Sequence, residues 1–136
     1  MTRSRATAKA AGTTFATKFS TWLAVRLNDD RIERRTLTGS KDRGDVTGVK
    51  TIRGGRVCLE LKDYGGRFHV SEWLREVEIE SGNDDAVIAA VVAKRRGVTD
   101  PAQQVVFMTG ETLARLLEGG PDDAPVVVAD PMTVVA

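Results

Sequence analysis

The chain is poor in the residues that lock structure covalently or bind soft metals: one cysteine and one histidine in 136 residues. A lone Cys58 excludes an intrachain disulfide and a thiolate zinc site, and its place within an apolar segment suits a small buried residue. His69 has no histidine partner for a metal cluster and no nucleophile beside it, which points to a packing or surface role. Proline is also scarce, four in all, three of them at or after Pro121. No run of about 18 apolar residues is present to cross a membrane, and the basic start MTRSRATAKAAG lacks the apolar stretch of a signal peptide. A soluble, cytoplasmic protein is the expectation. Neither GDVTG nor GETLARL matches a Walker-type phosphate loop, so no nucleotide cofactor is expected.

What is present is a modest core and a divided charge. At 41% apolar residues the chain can bury one domain's core. The net charge of +1 conceals 15 Lys/Arg against 7 Asp/Glu in residues 1–67, and 5 against 12 in residues 68–136, or +8 followed by −7. Such a split suits either a polyanionic partner held by the first half or self-complementation between the halves.

Residues 1–12 are small, basic and without hydrophobic periodicity, the pattern of a flexible arm. Phe15, Phe19, Trp22, Leu23 and Leu27 then recur at helical spacing, predicting an amphipathic helix from Thr14 to about Asn28. A strand is expected at 32–37, a turn-rich loop at 38–44, and strands at 45–49 and 56–62 joined through Gly54-Gly55 as a hairpin. Ser71 offers an N-cap to a helix running to about Glu80, with Trp73, Leu74 and Val77 on one face. The acids Glu72, Glu76, Glu78 and Glu80 read as its solvated face, with Glu76 able to approach the site described next. AVIAAVVAK reads as a strand covered on both faces, followed by a strand at 105–109 and a helix capped by Thr109 or Gly110 and stopped at Gly119-Gly120. The tail, 121–136, is expected to be partly disordered or to add an edge strand. The whole describes an α/β fold with a mixed central sheet flanked by helices.

Alternation in RVCLELK sends Val57, Leu59 and Leu61 to one face and Cys58, Glu60 and Lys62 to the other. A hairpin centred at residues 52–54 sets Asp45 opposite a residue between 59 and 63. Two carboxylates and an amine thus converge. Magnesium, with manganese as a substitute, prefers such hard oxygen ligands, and Asp45, Glu60 and the carbonyl of Leu61 are the candidate ligands. Lys62 is placed to orient and deprotonate a water or to balance phosphate charge. An acid two residues before a lysine is also a common strand pattern that makes only cross-strand ion pairs. Ser40, Lys41 and Arg43 flank the site, and Lys94, Arg95 and Arg96 end the buried strand; all six are candidate DNA-binding residues.

Gly44-Asp45 followed 15 residues later by Glu60-Leu61-Lys62 resembles the PD-(D/E)XK nucleases over roughly residues 14–118. The cues GSKDRGDVTGV, VCLELKDY, the Trp73 helix and VVAKRRG are most similar to small phage- and archaeal-type Holliday junction resolvases. The resemblance implies a restriction-endonuclease-like αβββαβ core in a nuclease domain spanning 13–120. It also implies Asp45, Glu60 and Lys62 as catalytic residues, and a homodimer acting on four-way DNA junctions. Two departures stand out. Gly44 replaces the proline that names the class, and the predicted first helix lacks the acid that many members place there, leaving Glu33 or Asp42 as substitutes. Asp42 also suits a turn held through its side chain.

Overall fold

The computed structural model describes residues 4–36 and 42–120. The chain folds as α1 (Arg5–Leu27), β1 (Glu33–Arg34), β2 (Val46–Thr47), β3 (Val57–Lys62), α2 (Val70–Asn83), β4 (Ile88–Ala93), β5 (Val105–Phe107) and α3 (Gly110–Leu117), with a 3-10 turn at Pro101–Gln103. The α/β class and the element order agree with the sequence. No helix among the described residues is long and apolar enough to cross a membrane.

The flexible arm expected at the start of the chain is not found over residues 5–12. Residues 5–12 are helical, because the Ser4 side chain accepts the Thr7 N–H and caps α1 ahead of a run of strongly helix-forming alanines. Hydrophobic periodicity begins only at Phe15, so it marks where the helix meets the core and not where it starts. The helix ends where predicted, with Asn28 in the left-handed region (φ 51°) donating its N–H to the turn before it. Leu27, assigned to the apolar stripe, is 53% exposed.

Parallel pairing of β3 with β4 and antiparallel pairing of β4 with β5 make a three-stranded mixed sheet, with Glu60 beside Val91 and Lys62 beside Ala93. β1 and β2 form a small antiparallel pair of their own. The expected hairpin joins this pair to β3 through an antiparallel bridge, Lys50 with Arg56, and through Val57 N–H to Val49 O and Asp45 N–H to Leu59 O. β1 and β2 are shorter than the predicted 32–37 and 45–49. Gly48 (φ 84°) lies against the Arg31 backbone so closely that a Cβ there would sit 2.2 Å from the Arg31 carbonyl oxygen, and the ladder breaks at that contact.

The alternation of β3 sorts the core into two layers as expected. Val57, Leu59 and Leu61 pack with Ile88, Ala90, Val92, Phe15 and Phe19 against α1. Cys58 packs with Val91, Ala93, Trp73 and Val77 on the α2 side. Trp73, 2% exposed, touches Tyr64, Phe68, His69 and Phe107 edge-on or tilted. α2 starts at Val70 with His69 as its cap residue, not Ser71, and runs on to Asn83. Behind it the buried Asp84 receives Arg35 at 3.2 Å and Arg56 at 3.8 Å, tying the β1 end to the sheet. Thr109 caps α3 by accepting the Thr112 N–H. The tail expected to be disordered or an edge strand lies outside the described residues.

Candidate functional site

Asp45 is held by the backbone of β3 at two points. Its N–H donates to Leu59 O (2.8 Å) and its Oδ2 accepts the Leu61 N–H (2.7 Å). The facing residues are therefore 59 and 61, inside the predicted range. In a strand the N–H and C=O of one residue point to the same edge, so the Leu61 carbonyl faces the Asp45 edge as well. Gly44 makes the approach possible: at φ 89° it lies where a Cβ would be 2.9 Å from Cys58 Sγ.

On the α2 side of β3, Glu60 is buried and Lys62 Nζ stands 3.8 Å from Glu60 Oε1. Lys62 makes its closer ion pair, 2.9 Å, with Glu76 of α2. Burial lowers the Lys62 pKa, but the hydrogen bond to Glu76 and the charge of Glu60 outweigh it and hold the amine above its ordinary value, so it is a cation.

A fourth acid was hidden in the sequence reading. Glu80, assigned to a solvated helix face, is 7% exposed. Together with Glu60 and Asp42 it forms a group whose carboxylate oxygens lie within 4.8 Å of one another. The signal was available: Trp73, Val77 and Glu80 stand at i, i+4 and i+7, so Glu80 continues the apolar stripe. Asp42 holds the turn expected of it. Its Oδ1 accepts the Gly44 N–H (2.9 Å), and it joins the acid group. Glu33 lies exposed on β1.

Buried acids this close repel and are poorly hydrated. Glu60 is pushed far above the ordinary carboxyl range, first by burial, then by the Glu80 and Asp45 carboxyls beside it. Glu80 rises to about 7, with burial the largest cause, partly offset by the neighbouring Glu60 carboxyl. Glu60 Oε2 and Glu80 Oε2 are both buried with no hydrogen-bond donor among the described residues. Hard oxygens crowded in this way, two lacking donors, fit a divalent cation such as magnesium. Cys58 is fully buried and its thiol pushed strongly up by burial, so it is not a thiolate ligand.

A cleft of about 830 Å³ opens over Asp45, Glu60, Leu61 and Lys62. Ala8, Gly12 and Ala16 of α1 form one wall, and the cations Lys9, Arg34, Arg35, Arg67 and Arg96 also line it. The helical start of α1, which sequence reading made an arm, is thus part of the site. Of the basic residues singled out at the end of β4, Arg96 lines the cleft and donates Nε to Gly65 O (3.1 Å). Arg95 instead donates to Gln103 O (3.2 Å), and Lys94 lines a smaller cavity of about 230 Å³ with Lys18 and Gln104. Arg43 is exposed and is not among the residues lining the cleft. Ser40 and Lys41 lie outside the described residues. His69, expected to have a packing or surface role, is exposed and packs edge-on against Tyr64 and Trp73.

No protein-family model, curated protein or solved structure matches the chain.

Proposed function

We propose that the protein is a magnesium-dependent endonuclease of the PD-(D/E)XK kind that hydrolyses phosphodiester bonds in branched DNA, with a four-way junction as substrate and a homodimer as the working form. One observation carries the reading: Asp45 and Glu60, from separate segments, line one cleft together with Lys62 and five further Lys/Arg side chains. The order α-β-β-β-α-β, with β3 carrying Glu60 and Lys62, supports the restriction-endonuclease-like core.

Asp45, Glu60 and the Leu61 carbonyl would hold the ion. A magnesium ion held by these groups would supply a lowered pKa to a bound water and offset charge on the phosphate. The chain's own groups do the rest. Lys62, kept charged and anchored by Glu76, suits balancing the phosphate better than accepting a proton from water. Lys9, Arg67 and Arg96 suit the flanking phosphates, where cationic side chains set the register of the backbone. Water adds to phosphorus and gives up a proton to solvent, one P–O ester bond breaks, and the leaving alkoxide takes a proton from solvent.

The test is nicking of a synthetic four-way junction beside a matched linear duplex, with magnesium or with chelator, for the wild type, Glu60→Gln and Lys62→Met. Cleavage of the junction, falling roughly a hundredfold or more in either variant while DNA binding persists, is expected. Equal rates on both substrates would discard junction selectivity in favour of a duplex nuclease. Undiminished cleavage in chelator would discard the metal. A wild type that binds DNA without cutting it would leave a non-catalytic binding protein.

A further inference from the structure

The family resemblance leads one to look for a third acid in the first helix, yet α1 contains none from Arg5 to Leu27. The geometry points to a different source: we infer that Asp42, Glu60 and Glu80 form a divalent-cation site that clamps the segment entering β2 to the C-terminal half of α2. This site does not include Asp45 or the Leu61 carbonyl, and it needs neither DNA nor catalysis to exist.

Four features support it. The three carboxylates come from the loop before β2, from β3 and from α2, and each presents an oxygen within 4.8 Å of the others, a spacing that one small ion can gather. Glu60 and Glu80 are 8% and 7% exposed, and Oε2 of each is buried without a donor among the described residues, which costs free energy that a cation would recover. The neighbouring contacts already hold Asp42 toward α2: Asn83 at the end of that helix donates Nδ2 to the Asp42 carbonyl (2.8 Å). Lys62, the nearest amine to Glu60, is drawn to Glu76 and stands 3.8 Å from Glu60 Oε1, so the acids are only weakly neutralised by it.

The site has a structural consequence. Asp42 is exposed and Glu80 is buried, so an ion between them would fix a surface loop to the core immediately before Gly44 and Asp45. Its occupation would steady the approach of Asp45 to β3.

The experiment is calorimetric titration of the chelator-treated full chain with Mn2+ in the absence of DNA, paired with thermal melting. The wild type is expected to take up Mn2+ and to melt higher with it. Glu80→Gln, isosteric and uncharged, should weaken uptake at least about tenfold and lose most of the Mn2+-induced rise. Asp42→Asn, at an exposed position where an oxygen acceptor for the Gly44 N–H is kept, should do the same without threatening the fold, while Ser81→Ala on the same helix should leave uptake unchanged. Wild-type affinity in both acid variants, or no uptake by the wild type at millimolar Mn2+, would overturn the site. Uptake that depends on Glu80 in a protein that cuts no DNA would support the site and reject the hydrolytic reading alone.

Discussion

The Leu61 backbone N–H donates to Asp45 Oδ2 over 2.7 Å, so the carboxylate immediately before β2 is positioned by the backbone of β3. Two substitutions separate its charge from this structural bond. Asp45→Asn keeps an oxygen for Leu61 and loses the charge; Asp45→Ala loses both. Both should lose cleavage by about a hundredfold or more. Only Asp45→Ala should also melt lower, because an unpaired buried N–H costs about 1–3 kcal/mol. Nicking rates and calorimetric melting would be compared, and equal melting losses in the two variants would contradict this division.

Gly44 supports the same contact from the other side. Its φ of 89° is closed to proline, whose ring fixes φ near −65°, so the residue that names the nuclease class cannot occupy this position as the chain is folded here. Gly44→Ala should destabilise by about 1–3 kcal/mol, since it adds left-handed strain and a Cβ against Cys58 Sγ. Gly44→Pro should be worse. Denaturant midpoints and nicking rates measure both, and a neutral Gly44→Pro would show that the loop can adopt the other backbone.

The pairing of Asp45 with residues 59 to 61 was legible because two-residue alternation and a glycine turn fix a hairpin register within narrow limits. Glu80 was not, because charge in a helix is ordinarily read as solvated, although its place after Trp73 and Val77 put it on the buried stripe. The first half of α1 was missed for the opposite reason. Alanine, glycine, threonine and the single Lys9 at 6–14 give no hydrophobic period, and only the Ser4 cap and alanine propensity mark a helix there. Arg95 and Arg96 are neighbours in sequence, and no pattern distinguishes them. Gly66 does so in the fold: its backbone lies so close that a Cβ would sit 2.7 Å from Arg96 Cβ, bringing Arg96 to the cleft side.

Metal-free stability should fall as pH rises through neutrality. Glu80 and Glu60 both titrate above their ordinary value of 4.5 in the folded chain, Glu80 at about 7 and Glu60 higher. The folded state therefore keeps protons that the unfolded chain has released. Their contribution is complete below about pH 4.5 and is lost as pH climbs through the folded values, by at most about 1.4 kcal/mol per pH unit for each proton. Melting in chelator from pH 5 to 8 should show a decline that Glu80→Gln flattens between pH 5 and 7. A melting temperature that rises alike in both proteins over that window would refute the shift.

The cleft's cations make the last expectation quantitative. Each phosphate neutralised by a Lys or Arg releases bound counterions, so losing one such contact should reduce the slope of log K against log salt by about 1. Arg96 lines the cleft beside Arg67, whereas the Arg95 guanidinium donates to Gln103 O, away from it. Lys9 reaches the same cleft from the helical start of α1. Arg96→Ala and Lys9→Ala should each weaken DNA binding and flatten its salt dependence, and Arg95→Ala should do neither. Fluorescence anisotropy with a labelled junction, titrated at several salt concentrations in Ca2+ to hold back cleavage, provides the slopes. Equal losses from Arg95 and Arg96 would mean that the DNA path is set by the end of β4 as a whole and not by the acid-floored cleft.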